Sequence, residues 1–180
     1  AKYGTTVNYQ EIVDDNDTVV EQASAPLSVS RPRAGWSGQN PADWWAATNA
    51  AVTALPARDR RAVRAVGLSG QMHGATLLDA ADEPLRPAIL WNDGRSEAQC
   101  RTLERNEPRS RAITGNIAMP GFTAPKLVWV RENEPAIFRE TRCVLLPKDY
   151  VRLLMTGEKA SDASDAAGSS RAVYPRLRTS

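Results

Sequence analysis

Residues 70–74 contain the one histidine of the chain, His73, together with Gln71 and Met72. The segment lies between two stretches that are predicted to be strands, and α/β proteins commonly form ligand contacts at such strand ends. Glutamine and histidine side chains both donate and accept hydrogen bonds, which suits a polyhydroxyl ligand better than an ion. From spacing alone, a ligand-binding loop and a turn with a water-exposed histidine are both compatible with these residues.

A second polar group, Trp-Asn-Asp-Gly-Arg at residues 91–95, follows the next predicted strand. An aromatic face beside amide, carboxylate and guanidinium groups is typical of a sugar site, so Asn92, Asp93 and Arg95 are candidate substrate contacts. The alternative is a structural role, because Asn92 or Asp93 could cap a helix that begins at Gly94. The two roles do not exclude each other.

Other kinds of site have weaker support. Gly4, Thr5 and Thr6 could form a turn whose amides and hydroxyls contact a phosphate, although a bare turn is the simpler interpretation. Cys100, Cys143 and the single histidine are far apart in sequence and form no pattern of metal ligands. No serine lies in a nucleophile-elbow motif, so neither a metal site nor a serine nucleophile is predicted.

Composition indicates an ordinary globular protein. The chain has 180 residues, of which 42% are hydrophobic, and a mean hydropathy of −0.44. Its longest apolar stretches are four or five residues, too short to cross a membrane, and no secretory leader is visible. Two cysteines are too few for a disulfide framework and favour a reducing compartment, so we expect a cytoplasmic location. The net charge of +2 is spread along the chain, so no nucleic-acid partner is expected.

The predicted elements place the polar groups at strand ends of an α/β or α+β chain. A turn at residues 14–17 predicts a hairpin, Asn40 and Pro41 predict a helix start, and residues 31–39 are predicted to be loop. Strands are predicted at residues 18–23, 27–30, 63–69 (buried), 75–79, 87–91 and 142–146. Helices are predicted at residues 41–55, 94–107, 123–134 and 147–156.

Four longer motifs lie in order along the chain. They are GLSGQMHG at 67–74, LRPAILWNDGR at 85–95, MPGFTAPK at 119–126, and LLPKDYVR at 145–152 followed by SDASDAAG at 161–168. Their order and spacing over residues 18–168 closely resemble the FGGY family of carbohydrate kinases, in particular its bacterial members that phosphorylate xylulose.

The resemblance implies an α/β fold of the ribonuclease-H-like, actin-like ATPase type, with a mixed sheet and flanking helices. Residues 1–180 would form part of the N-terminal sugar-binding domain, and the active site would lie in the cleft between this domain and a C-terminal nucleotide-binding domain. Met72 and His73 match the family's ketose contacts. The catalytic base, an aspartate in the family, would lie beyond residue 180, so no catalytic residue is assigned in this chain.

The reaction implied is transfer of the γ-phosphoryl group of ATP, with Mg²⁺, to the terminal hydroxyl of D-xylulose. Catalysis of this kind is mainly alignment and charge neutralisation. The resemblance is compatible with a homodimer. At the phosphate loop Lys2 stands where the family has aspartate, so a non-catalytic sugar-binding or interaction module stays open. A family kinase for another pentose or a polyol is a further alternative.

Overall fold

The computed structural model describes residues 6–161, so Gly4 and Thr5 of the predicted phosphate loop and residues 162–168 of the last motif lie outside the described residues. The strands are β1 (Thr6–Val13), β2 (Val19–Leu27), β3 (Gly38–Gln39), β4 (Thr76–Leu78), β5 (Ala88–Ile89) and β6 (Cys143–Leu145). The helices are α1 (Pro41–Ala54), α2 (Ala57–Ala62), α3 (Glu97–Asn106), α4 (Ser110–Thr114), α5 (Thr123–Asn133), α6 (Pro135–Glu140) and α7 (Pro147–Thr156).

The predicted hairpin is confirmed as the antiparallel pair β1–β2. The Asp14 side chain closes its turn, because Oδ1 accepts hydrogen bonds from the backbone N–H groups of Asn16 at 2.8 Å and Thr18 at 3.0 Å. Thr6, the last residue of the predicted phosphate loop, is the first residue of β1.

Helix α1 begins where its sequence predicts. Asn40 caps it by accepting a hydrogen bond from the N–H of Ala42, and Pro41 occupies the first turn. Its buried stripe includes Trp44 and Thr48, and Thr48 accepts a hydrogen bond from Asn8 of β1 at 2.8 Å. The stripe therefore packs α1 against the hairpin.

The central strands are buried on both faces. β3 pairs with β5, β4 pairs with β6, and a bridge between Ala75 and Ile89 links the two pairs, all in antiparallel fashion. Leu77 and Leu78 are consecutive in β4, and both are fully buried. Because neighbouring side chains of a strand point to opposite faces, each serves a different core. Leu78 packs in the cluster that contains Trp44 and Tyr150, and Leu77 in the cluster that contains Trp129 of α5.

One predicted strand is wrong. Residues 63–69 form no strand, and Val63, Val66 and Leu68 are 41%, 64% and 37% exposed. An apolar, β-branched run becomes a strand only when a neighbour supplies hydrogen-bond partners, and none of the described strands pairs with this segment.

Three shorter segments also differ from the predictions. The strand predicted at 27–30 is wrong, since β2 ends at Leu27 and only Ser30 forms an isolated bridge, to Gly38. Residues 38 and 39, predicted as loop, form β3, which is too short to show an alternating pattern. Helix α3 begins at Glu97 and not at Gly94.

Candidate functional site

The two polar groups singled out in the sequence meet at one edge of the sheet. Ala75 and Ile89 exchange two backbone hydrogen bonds. The N–H of Ala75 donates to the carbonyl of Ile89 at 2.9 Å, and the N–H of Ile89 donates to the carbonyl of Ala75 at 3.3 Å. Because the pairing is antiparallel, the residues before Ala75 and those after Ile89 leave the sheet on the same side. Residues 70–74 and 91–95 are therefore neighbours.

The turn before α5 contacts both of these segments. The ring of Phe122 packs edge-on against the His73 ring, with centroids 4.7 Å apart. At Gly121, a Cβ atom would lie 2.7 Å from the carbonyl oxygen of Trp91, closer than any side chain tolerates. Glycine is therefore required at 121, and consecutive residues of this turn touch the two candidate contact loops.

Four side chains at this edge are at least partly accessible to solvent. Met72 is 54% and Trp91 52% exposed, Asn92 is exposed, and His73 is half-buried. Together they offer a flat aromatic face, a flexible apolar side chain, an amide and an imidazole. This combination can contact the C–H faces and the hydroxyl groups of a small polyhydroxyl ligand.

Gln71 points towards the core. Its Nε2 donates to Oε1 of Gln39 at 2.7 Å, and the same oxygen accepts from Nε1 of Trp44 at 2.9 Å. Gln39 in turn donates to the carbonyl of Ser28 at 3.2 Å. Through this series of hydrogen bonds, Gln71 anchors residues 70–74, here called the histidine loop, to β3 and α1.

Asp93 and Arg95 form a buried ion pair in the loop that also contains the exposed Trp91 and Asn92. Asp93 is 1% exposed, and its carboxylate accepts four hydrogen bonds, from the Ser37 N–H at 2.5 Å and from Arg95 N, Nε and Nη2 at 2.9, 2.9 and 2.8 Å. The guanidinium carbon lies 3.8 Å from the Trp36 ring centroid and 5.0 Å from that of Trp129. Charge and cation–π contacts thus fix the buried residues of the loop that contains Trp91.

The helix-capping role considered for Asn92 or Asp93 is wrong. Helix α3 starts three residues later than Gly94, and no side chain caps its first turn. Asp93 bonds instead to the backbone of Arg95 and Ser37, and so closes the loop that follows β5.

Sequence reasoning missed Lys126, which is fully buried in α5. Its Nζ donates to the carbonyl oxygen of His73 at 2.8 Å and to that of Gly121. Burial lowers its pKa from 10.5 to about 7, an effect that Asp93 partly opposes and Arg95 reinforces. The sequence does contain a signal for its burial, because Lys126 is the one polar residue in the apolar run 124–130, Ala-Pro-Lys-Leu-Val-Trp-Val.

Residues 8–161 contain neither a cluster of metal ligands nor a membrane-spanning helix. No three His, Cys, Asp or Glu side chains in that part of the chain come together as metal ligands. Cys100 and Cys143 are free thiols, and burial raises the pKa of Cys100 to about 11. No helix in the described part of the chain is long and apolar enough to span a membrane.

Several known proteins are similar to this chain. The xylulose kinase of Escherichia coli (strain K12) is 57% identical over 158 residues, which are 87% of this chain and 33% of that protein. A solved xyloylose kinase from Brucella ovis is 54% identical with a TM-score of 0.89, and the match covers 92% of this chain and 35% of that one. The solved xylulose kinase from Rhodospirillum rubrum is 32% identical with a TM-score of 0.83, with the same coverage of 92% and 35%.

These similarities confirm the predicted α/β fold of the ribonuclease-H-like, actin-like type. The chain spans about a third of the length of the curated relatives that it matches. The model of the FGGY family of carbohydrate kinases, N-terminal domain, matches residues 2–172. By this match over nearly its whole length, the chain belongs to the FGGY family of carbohydrate kinases.

Proposed function

We propose that residues 1–180 form the sugar-binding part of a kinase that transfers the γ-phosphoryl group of ATP to the terminal hydroxyl of D-xylulose. The observation that carries the proposal is the meeting of Met72, His73, Trp91 and Asn92 at one sheet edge, with the buried Asp93–Arg95 pair in the same loop as Trp91 and Asn92. Relatives named xylulose kinases, at up to 57% identity, support this substrate over other sugars.

Each exposed group has a part in holding the sugar. His73 and Asn92 are proposed to hydrogen-bond to sugar hydroxyls, Trp91 to cover a C–H face, and Met72 to close the apolar side. Gln71, Asp93 and Arg95, predicted as contacts from sequence, are proposed to take part by holding the two loops. Gly4, Thr5 and Thr6 remain the proposed phosphate loop.

ATP is the proposed phosphoryl donor, and its Mg²⁺ is proposed from the family resemblance. The described residues do not fit a Mg²⁺ site, because the buried carboxylates of Asp93 and Asp149 pair with Arg95 and Lys148. The catalytic base and the nucleotide-binding domain are proposed to lie in the part of the relatives' length that this chain does not span. The free thiols support the cytoplasm as the proposed location.

The test uses the full-length protein that contains this chain. Phosphorylation of D-xylulose, other pentuloses and glycerol by ATP is measured with a coupled assay for ADP. We expect D-xylulose to give the highest kcat/KM, and equal rates with glycerol would contradict the proposed substrate. Absence of turnover with every compound, combined with calorimetric binding of xylulose, would favour a non-catalytic module. Light scattering on the same preparation shows whether a homodimer forms.

Two variants test the site. His73→Ala and Met72→Ala are expected to raise the KM for D-xylulose by about three- to ten-fold, the usual effect of losing one hydrogen bond or one apolar contact. Met155→Ala removes a methionine that is similarly exposed, at 42%, near the end of α7, and serves as the control. An unchanged KM in both site variants would show that the site is elsewhere.

A further inference from the structure

We propose that Lys126 and Thr123 are positioning residues for the sugar contact, which they hold by fixing the backbone carbonyl of His73. The inference concerns the orientation of residues 70–74, and its consequence for xylulose binding rests on the proposed function.

Two donors from α5 converge on one acceptor. The carbonyl oxygen of His73 accepts from Lys126 Nζ at 2.8 Å and from Thr123 Oγ1 at 3.2 Å. A carbonyl oxygen has two lone pairs, so both bonds can form together. Lys126 also donates to the carbonyl of Gly121, and therefore joins the histidine loop to the turn before α5.

His73 needs such support because its backbone is in the left-handed region, with φ of +57°. This conformation costs a residue with a side chain free energy, and surrounding contacts must hold it. Holding the carbonyl fixes rotation about the Cα–C bond of His73. The next residue, Gly74, is held as closely, since a Cβ there would lie 2.5 Å from Cγ of Pro147.

The same turn of α5 also determines where the imidazole lies. Phe122 packs against the ring of His73, while the neighbouring Thr123 and Lys126 hold its carbonyl. Gly121, one residue earlier, approaches the backbone of Trp91. One short segment, residues 121–126, thus contacts both loops and sets the position of residues 70–74 relative to residues 91–95.

Stability alone does not explain a lysine at this position. Lys126 is 0% exposed, and burial of an ammonium group is costly, so an apolar side chain of similar length would pack there more favourably. The depressed pKa of Lys126 is consistent with this cost. A neutral amine still has two N–H donors, which match its two carbonyl acceptors, so the contact is kept in either protonation state.

The test compares four variants in the full-length protein. Lys126→Met keeps the length of the side chain and removes its donors, and Thr123→Val keeps the shape and removes the hydroxyl. The controls, Lys159→Met and Thr156→Val, make the same changes at exposed positions. Thr156 is the last residue of α7, and Lys159 lies just after that helix. We expect the KM for D-xylulose to rise about ten-fold in Lys126→Met and about three-fold in Thr123→Val, with the KM for ATP and both controls within two-fold of wild type.

The KM values separate positioning from folding. A variant that is only less stable yields fewer active molecules, which lowers the apparent kcat and leaves the KM for xylulose unchanged. A KM for xylulose within two-fold of wild type in both site variants would overturn the proposal, and so would an equal rise of the KM for ATP. If Lys126→Met does not fold, Thr123→Val, which removes a single oxygen, decides alone.

A second measurement is independent of turnover. The imidazole Cε1–H resonance of His73, assigned by its loss in His73→Ala, is expected to shift in Lys126→Met and Thr123→Val and to stay in place in the two controls. Should the wild-type protein phosphorylate no sugar, the proposed function fails and this resonance still decides the inference. An unmoved resonance in both site variants would refute it.

Discussion

The buried pair of Asp93 and Arg95 offers a direct test of how the site is supported. Asp93→Ala removes a carboxylate that accepts four hydrogen bonds, three of them from Arg95. The guanidinium stays behind with its side chain 3% exposed. An uncompensated buried charge of this kind costs about 3–5 kcal/mol of folding free energy.

A double variant measures the coupling between Asp93 and Arg95. Replacing both residues, as Asp93→Ala with Arg95→Met, removes the unpaired charge and keeps an apolar side chain near Trp36 and Trp129. We therefore expect the double variant to be more stable than Asp93→Ala alone, with a coupling energy of about 2 kcal/mol or more. Some loss remains, because the N–H of Ser37 is left without its acceptor.

The assay is urea unfolding of the full-length protein, followed by tryptophan fluorescence, for wild type, the two single variants and the double variant. The KM for D-xylulose is measured on the same preparations under native conditions. A loss below about 1 kcal/mol in Asp93→Ala, together with a large rise in that KM, would refute the reasoning. That result would mean that Asp93 contacts the sugar directly and does not act as a buried support.

Two further perturbations test single residues. Burial lowers the pKa of Lys126 to about 7 in the folded protein, whereas the unfolded chain has the ordinary value of 10.5. The unfolded chain therefore binds more protons above pH 7, and stability rises with pH. From pH 6.5 to 8.5, urea unfolding is expected to show a gain of about 2 kcal/mol that is absent in Lys126→Met. Gly121→Ala would put a methyl group 2.7 Å from the Trp91 carbonyl, and we expect a loss of about 1–3 kcal/mol and a higher KM for xylulose. Gly67→Ala, which meets no atom within 4 Å, is the matched control, and equal effects of the two would contradict the role of Gly121.

Elements with local signals were predictable from the sequence. Helix α1 has a capping residue and a proline at its start, and the β1–β2 turn has an aspartate that bonds to its own backbone. Residues 63–69 carry an equally clear local pattern, yet they form no strand. The difference is that a helix supplies its own hydrogen-bond partners, whereas a strand depends on a neighbour that its own residues do not encode.

For the candidate site, the two loops were predictable from the sequence and their supports were not. Residue types identified the two loops, and the order of the strands brought them to one edge. The sequence could not show which polar groups are exposed, because the partner of Asp93 at Ser37 is 56 positions away and that of Lys126 at His73 is 53. For the same reason the sequence did not show that Asp93 and Arg95 are buried, or that Lys126 bonds to the carbonyl of His73.

These sequence separations also determine what the loops can do in isolation. The hydrogen bonds that hold the histidine loop join residues 32, 50 and 53 positions apart. Closing one loop of this length costs about 3 to 3.5 kcal/mol of chain entropy, before any constant contribution, which is more than one such bond contributes. The cores around Trp44 and Trp129 must therefore supply the free energy that closes them. A peptide of residues 70–95 would contain the exposed side chains of the candidate site. It would lack Gln39, Thr123 and Lys126, whose hydrogen bonds hold the histidine loop in place.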